Sequence, residues 1–186
     1  MSQQNPAQAR ARIEAMKRQF EQKRQIDEAL AGIKNKIGVY SGKGGVGNTT
    51  IAVNLAETLA NDGARVGILD VEVDCPNVVR AINSFDQPMV GEDKKMIPPE
   101  KFGVKVMSMA FFQENEDEAI IWRGPMIHNA INQMLQSTDW GDLDYLIVDL
   151  PPGTSDAPLT IMQVLTMDGF IVVTTPQELA LSLIHI

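Results

Sequence analysis

The chain has 186 residues, 44% hydrophobic and 22% charged, which suffices for one soluble domain with a packed core. No apolar run exceeds strand length and the N-terminus is polar and charged, so neither a membrane span nor a secretory signal is expected, and the single Cys75 excludes an internal disulfide and fits a cytoplasmic setting. The net charge of −8 is uneven: residues 1–36 carry eight Lys/Arg against four Asp/Glu and the remainder eight against twenty, an acidic body that disfavours nucleic acid.

The first element is a helix over 6–34, with Ile13, Met16, Phe20, Ile26, Leu30 and Ile33 in approximate 3–4 spacing among Ala, Gln, Glu, Lys and Arg. It reads as a half-exposed extension (residues 1–35) outside the core, and acids interrupt its thin stripe too often for a membrane surface. Alternation follows over 36–180. Strand-like segments fall at 36–41, 65–70, 104–109, 145–149 and 170–175, and helical ones near 49–62, 125–136 and 156–165, with a loop excursion over 84–103. The runs Val66–Leu69, Tyr145–Val148 and Phe170–Val173 are apolar on both faces, as in parallel strands covered by helices. The fold class is therefore α/β, a doubly wound, mostly parallel sheet.

Between the first strand and its helix lies Gly42-Lys43-Gly44-Gly45-Val46-Gly47-Asn48-Thr49-Thr50. Glycines let a backbone curl with N–H groups pointing inward, and a helix N-terminus adds partial positive charge where phosphates would sit. The pattern G-x-x-x-x-G-K-S/T fits Gly42 to Thr49 except that Asn48 stands where a lysine reaches the β- and γ-phosphates. Thr49 is placed to ligate Mg²⁺. Asp70 and Asp149 each close a strand, and in open parallel sheets such ends converge on the ligand. One carboxylate can hold Mg²⁺ through its water shell and another can orient water, while Gly153 can bring a backbone N–H to a terminal phosphate. Cys75 and His128 lack partners at metal-ligand spacing and are read as structural.

Together, Ser41–Gly47, Trp122-Arg123-Gly124-Pro125-Met126, Asp149-Leu150-Pro151-Pro152-Gly153-Thr154 and Thr174-Thr175-Pro176-Gln177-Glu178 resemble the Mrp family of ATP-binding iron–sulfur cluster carriers, relatives of the MinD and ParA ATPases. The resemblance implies a P-loop ATPase that binds ATP and Mg²⁺, with Thr49 and Asp149 at the metal and residues 42–50 and Gly153 at the nucleotide. It implies a homodimer in which Lys43 reaches the partner's nucleotide, with Lys43, Asp70 and Glu72 as catalytic candidates. It also implies a Cys-x-x-Cys beyond this chain, holding a 4Fe-4S cluster between protomers for delivery to iron–sulfur apo-proteins. Three positions depart from the family's pattern: Asn48, Glu72 in place of the second aspartate of Asp-x-Asp, and Cys75-Pro76-Asn77 in place of Gly-Pro. A full charge lost beside a phosphate costs on the order of a few kcal/mol at an effective dielectric of about 20. A carboxylate moved by one methylene can misplace a water. Weakened binding is the expectation, with hydrolysis left open against two alternatives, a non-hydrolysing nucleotide-binding scaffold or a MinD/ParA-like positioning ATPase. Residues 181–186 are what the adapter sequence CTGTCTCTTATACACATC encodes and are expected to be a non-native tail.

Overall fold

The computed structural model describes residues 6–112, 124–153 and 156–177. Trp122, Arg123, Thr154, Glu178 and the segment 181–186 lie outside the described residues.

Helix α1 (Pro6–Ala29) ends five residues before the predicted limit, and strand β1 (Ile33–Tyr40) begins at Ile33. Gly32 sets the break, since a Cβ there would lie 2.9 Å from the Gly141 carbonyl. Ile33 then pairs with Leu143, so the predicted boundary at 35 falls inside a strand. The extension is also less external than expected, because Ile26 and Leu30 are fully buried while Ile13, Met16 and Phe20 are exposed.

The remaining elements are α2 (Asn48–Asn61), β2 (Val66–Asp70), α3 (Val78–Ala81), β3 (Met89–Val90), β4 (Met96–Ile97), β5 (Glu100–Lys101), β6 (Val104–Ser108), α4 (Gly124–Ser137), β7 (Leu143–Asp149), α5 (Asp156–Val164) and β8 (Gly169–Val172). The predicted loop excursion contains a small hairpin, β3 against β4, turned by the Gly91-Glu92-Asp93-Lys94 stretch in which Lys94 takes φ 63°. The main sheet has the order β5-β6-β2-β7-β1-β8, parallel except for β5. Two cores follow from strand alternation. Leu69, Met107, Leu146 and Val148 pack with Ile26 of α1 and Leu30 just beyond it, Ile131 and Leu135 of α4 and Ile161 of α5. Val39, Ile68, Val106 and Ile147 pack on the other face with Ala52, Val53 and Ala56 of α2 and Val78 of α3.

At the end of the sheet away from the glycine loop, Asp144 accepts from Arg65 (Nε at 3.2 Å) and from Lys34 (Nζ at 2.8 Å), tying β1 and β7 to the residue that leads into β2. Both cations hold its carboxyl well below the usual carboxylate range. Gly67 in β2 lies under the Trp140 ring, and a Cβ there would sit 2.7 Å from the indole and 2.8 Å from Leu143. Gly67→Ala is therefore expected to destabilise by about 1–3 kcal/mol through overpacking, read as a lower urea midpoint at unchanged slope.

Candidate functional site

Strand β1 delivers the chain to the carboxyl edge of the sheet, where residues 41–47 curl back into α2. Two glycines make the curl possible: Gly45 takes φ 76° and Gly47, the N-cap of α2, takes φ 99°. A Cβ on either would meet nothing within 4 Å, so it is the left-handed backbone rather than crowding that calls for glycine there. The first turn of α2 holds no acidic residue, and its leading N–H groups have no intrahelical acceptor. A cradle of amides at the positive end of a 14-residue helix fits an oligophosphate.

Asn48 is turned away from that cradle. Only 8% exposed, it donates from Nδ2 to the Leu150 carbonyl at 2.9 Å, and its Oδ1 lies 2.8 Å from the Ser41 hydroxyl. Ser41 shares its single proton between that oxygen and the Lys43 carbonyl, 2.9 Å away. Gly153 is committed likewise, its N–H donating to the Ser41 carbonyl at 2.9 Å and its own carbonyl accepting from the Tyr40 hydroxyl at 2.9 Å. Neither the position 48 side chain nor the Gly153 amide faces the phosphate space in this conformation.

The two strand-end carboxylates do converge, for Asp70 and Asp149 are direct partners across β2 and β7. They differ in what surrounds them. Asp70 is fully buried, accepting from the Glu72 N–H at 3.1 Å through Oδ1 and from the Val78 N–H (3.2 Å) and Ser108 hydroxyl (2.9 Å) through Oδ2. Burial, and then Asp149, push its carboxyl up to about 7. With both oxygens taken, Asp70 positions the segment 71–78 rather than facing a water. Asp149 is buried too, yet its Oδ1 has no partner among the described residues. Burial raises its carboxyl to about 6, with the Thr49 hydroxyl opposing the shift and Glu72 adding to it. An orphaned buried carboxylate oxygen beside a threonine hydroxyl, behind a phosphate cradle, is a donor set suited to Mg²⁺.

Glu72 is half-buried and caps the Asp74 N–H at 3.0 Å; it lines a cavity of about 310 Å³ with Val73, Asp74, Cys75, Ile127, Pro151 and Pro152. Lys43 is exposed and donates to Gln177 Oε1 at 3.3 Å. Cys75 is exposed and touches the Asn77 amide, His128 lies on α4, and no group of three or more His, Cys, Asp or Glu could hold a metal among the described residues. Sequence reasoning missed the Ser108, Tyr40 and Ser41 contacts. Ser41 was visible as a hydroxyl heading the loop, whereas the Tyr40 and Ser108 contacts depend on sheet order.

A strand–glycine loop–helix at the carboxyl edge of a parallel sheet, with a threonine and a strand-end aspartate behind it, places the chain among P-loop NTPases. Solved structures agree. An Archaeoglobus fulgidus nucleotide-binding protein in complex with ADP superposes with TM-score 0.73 at 36% identity, over 88% of this chain and 63% of that one. The septum site-determining protein MinD of Pyrococcus horikoshii, with Mg-ADP, shares the fold alone at TM-score 0.55 and 19% identity, over 81% of this chain and 61% of that one. A ParA-group family profile, described as NUBPL iron-transfer P-loop NTPase, matches residues 32–185, and the chain belongs to that family. An iron–sulfur cluster carrier protein of Deinococcus radiodurans is 50% identical over 154 residues, which are 82% of this chain and 44% of the relative. The Arabidopsis thaliana mitochondrial iron–sulfur protein required for NADH dehydrogenase is 49% identical over 154 residues, 82% of this chain and 49% of the relative. The chain thus spans about half the length of these curated relatives.

Proposed function

We propose that this chain is the nucleotide-binding part of an ATP-dependent iron–sulfur cluster carrier acting as a homodimer. The observation that carries this reading is the glycine loop at the head of α2 with the orphaned Asp149 oxygen and Thr49 behind it, in a chain about half identical to named carriers. Thr49 and Asp149 would hold Mg²⁺, which when bound neutralises phosphate charge. The amides of residues 42–50 would hold the nucleotide, and Glu72, poised at the cavity by the Asp70 anchor, would orient the attacking water. Lys43, exposed at the loop, is free to leave Gln177 for a partner's nucleotide. The cluster is cargo, held by a Cys-x-x-Cys of the longer protein for delivery to apo-proteins. A cytoplasmic setting without nucleic acid suits the acidic body, and no helix is long and apolar enough among the described residues to cross a membrane.

The second reading, a nucleotide-binding scaffold that does not hydrolyse, is favoured by the inward turn of Asn48. Titration with fluorescent nucleotide, with and without Mg²⁺, tests the shared core of both: binding is expected, and weaker once Mg²⁺ is chelated. Turnover separates them, with the Asn48→Lys, Glu72→Asp double variant expected to hydrolyse ATP about tenfold faster than the parent if those positions limit hydrolysis. Family-like turnover in the unaltered protein would sink the scaffold reading. Absence of nucleotide binding under both conditions would sink the proposal itself.

A further inference from the structure

We infer that Asn48 makes this site selective for nucleoside diphosphates by strapping the loop 150–153 shut against the phosphate loop. The inference rests on the reading that residues 42–50 bind a nucleotide. Four hydrogen bonds join the segment 150–153 to the end of β1, the phosphate loop and the start of α2: Leu150 N–H to the Val39 carbonyl (3.0 Å), Asn48 Nδ2 to the Leu150 carbonyl (2.9 Å), Gly153 N–H to the Ser41 carbonyl (2.9 Å) and the Tyr40 hydroxyl to the Gly153 carbonyl (2.9 Å). Asn48 is the member that also reaches the phosphate loop's first hydroxyl, at Ser41. Its amide orientation is fixed chemically, because the Leu150 carbonyl can only accept and so must face Nδ2.

The consequence differs for the two phosphate chains. A diphosphate is served by the loop amides and the start of α2, none of which the strap uses. A third phosphate adds negative charge that needs a cation or a further N–H. Apart from the Mg²⁺ that Thr49 and Asp149 would hold, and with Lys43 committed to a partner's nucleotide, the groups of this chain placed to supply one are the side chain at 48 and the amide of Gly153, and both are bound to protein acceptors. Bringing the Gly153 N–H to a third phosphate therefore has to open the Gly153–Ser41 bond, in a residue that the Tyr40 hydroxyl also holds through its carbonyl. Lysine at 48 reverses both conditions, since it has no acceptor for the Ser41 hydroxyl and brings a charge to the phosphates. Tyr40→Phe loosens the strap alone, adding no charge.

The test is a set of dissociation constants for ADP and ATP in Mg²⁺ for the unaltered chain, Asn48→Lys and Tyr40→Phe, with amide hydrogen exchange followed over 150–153. The unaltered chain is expected to prefer ADP by about tenfold, the exchange of one to two hydrogen bonds. Tyr40→Phe is expected to narrow that ratio and Asn48→Lys to abolish or invert it, with 150–153 exchanging faster in both variants. A preference for ATP in the unaltered chain, or one ratio shared by all three proteins, overturns the inference while leaving nucleotide binding intact. If neither nucleotide binds the unaltered chain or Asn48→Lys, the nucleotide reading fails first and the inference with it.

Discussion

Asp70→Ala is expected to lower stability by about 2–5 kcal/mol, against a typical domain total of about 5–15. The carboxylate is fully buried and satisfies three donors, the N–H groups of Glu72 and Val78 and the hydroxyl of Ser108. Each donor left unpaired in the interior costs roughly 1–3 kcal/mol. Part of that loss is returned, because burial and Asp149 make the charge at Asp70 expensive to hold, as its rise to about 7 records. The donors outweigh the relief. Ser108→Ala provides the scale, since it removes one donor and leaves two on Asp70, for an expected loss of about 0.5–1.5 kcal/mol. Urea denaturation of both variants checks the pair. An Asp70→Ala protein within about 1 kcal/mol of the parent would show that the segment 71–78 does not depend on this anchor.

The same residue marks where sequence reading succeeds and stops. Asp70 and Asp149 each close an apolar strand, and parallel sheets gather such ends, so the register Asp70 to Asp149 follows from the sequence pattern. Their division of labour was not visible. It depends on which neighbours donate, and Ser108, 38 residues away, comes beside Asp70 only because β6 lies next to β2. Asn48 is a second case. Its substitution was plain in the loop pattern, but the Leu150 carbonyl that captures its amide is 102 residues distant and reaches it through the β1–β7 pairing. The end of α1 escaped for a local reason: Leu30 and Ile33 continue the helical spacing, while Gly32 fits closely against Gly141 and turns the chain into β1. Apolar periodicity cannot register a close approach between backbones.

Asp149→Asn is expected to become more stabilising, relative to the parent, as pH rises. The parent's Asp149 carboxyl stands at about 6, above its ordinary value of 3.8, through burial first and then Glu72. A group raised on folding is protonated in both states at low pH, so its contribution is fully present there. As pH climbs from about 4 through about 6, the unfolded chain ionises more readily and that stability is lost. Asp70 acts in the same direction with a window reaching about 7, whereas Asp144, held low by Arg65 and Lys34, contributes stability above the ordinary carboxylate range and loses it in acid. Asparagine removes the first of these terms and weakens the second, because Asp149 is one of the charges that lift Asp70. The amide Nδ2 remains without an acceptor if it replaces the orphaned Oδ1, a cost that does not vary with pH and so cancels from the comparison. The stability difference between variant and parent should therefore grow by about 1–3 kcal/mol between about pH 4 and about pH 8. Parallel urea titrations without Mg²⁺ measure it, and a difference constant with pH would show that Asp149 carries no buried charge. The same substitution takes away one of the two Mg²⁺ donors, so nucleotide binding should become insensitive to chelation of the metal. Stability gained and Mg²⁺ dependence lost by one change would mean that the fold tolerates an unpaired carboxylate at β7 for the sake of the metal.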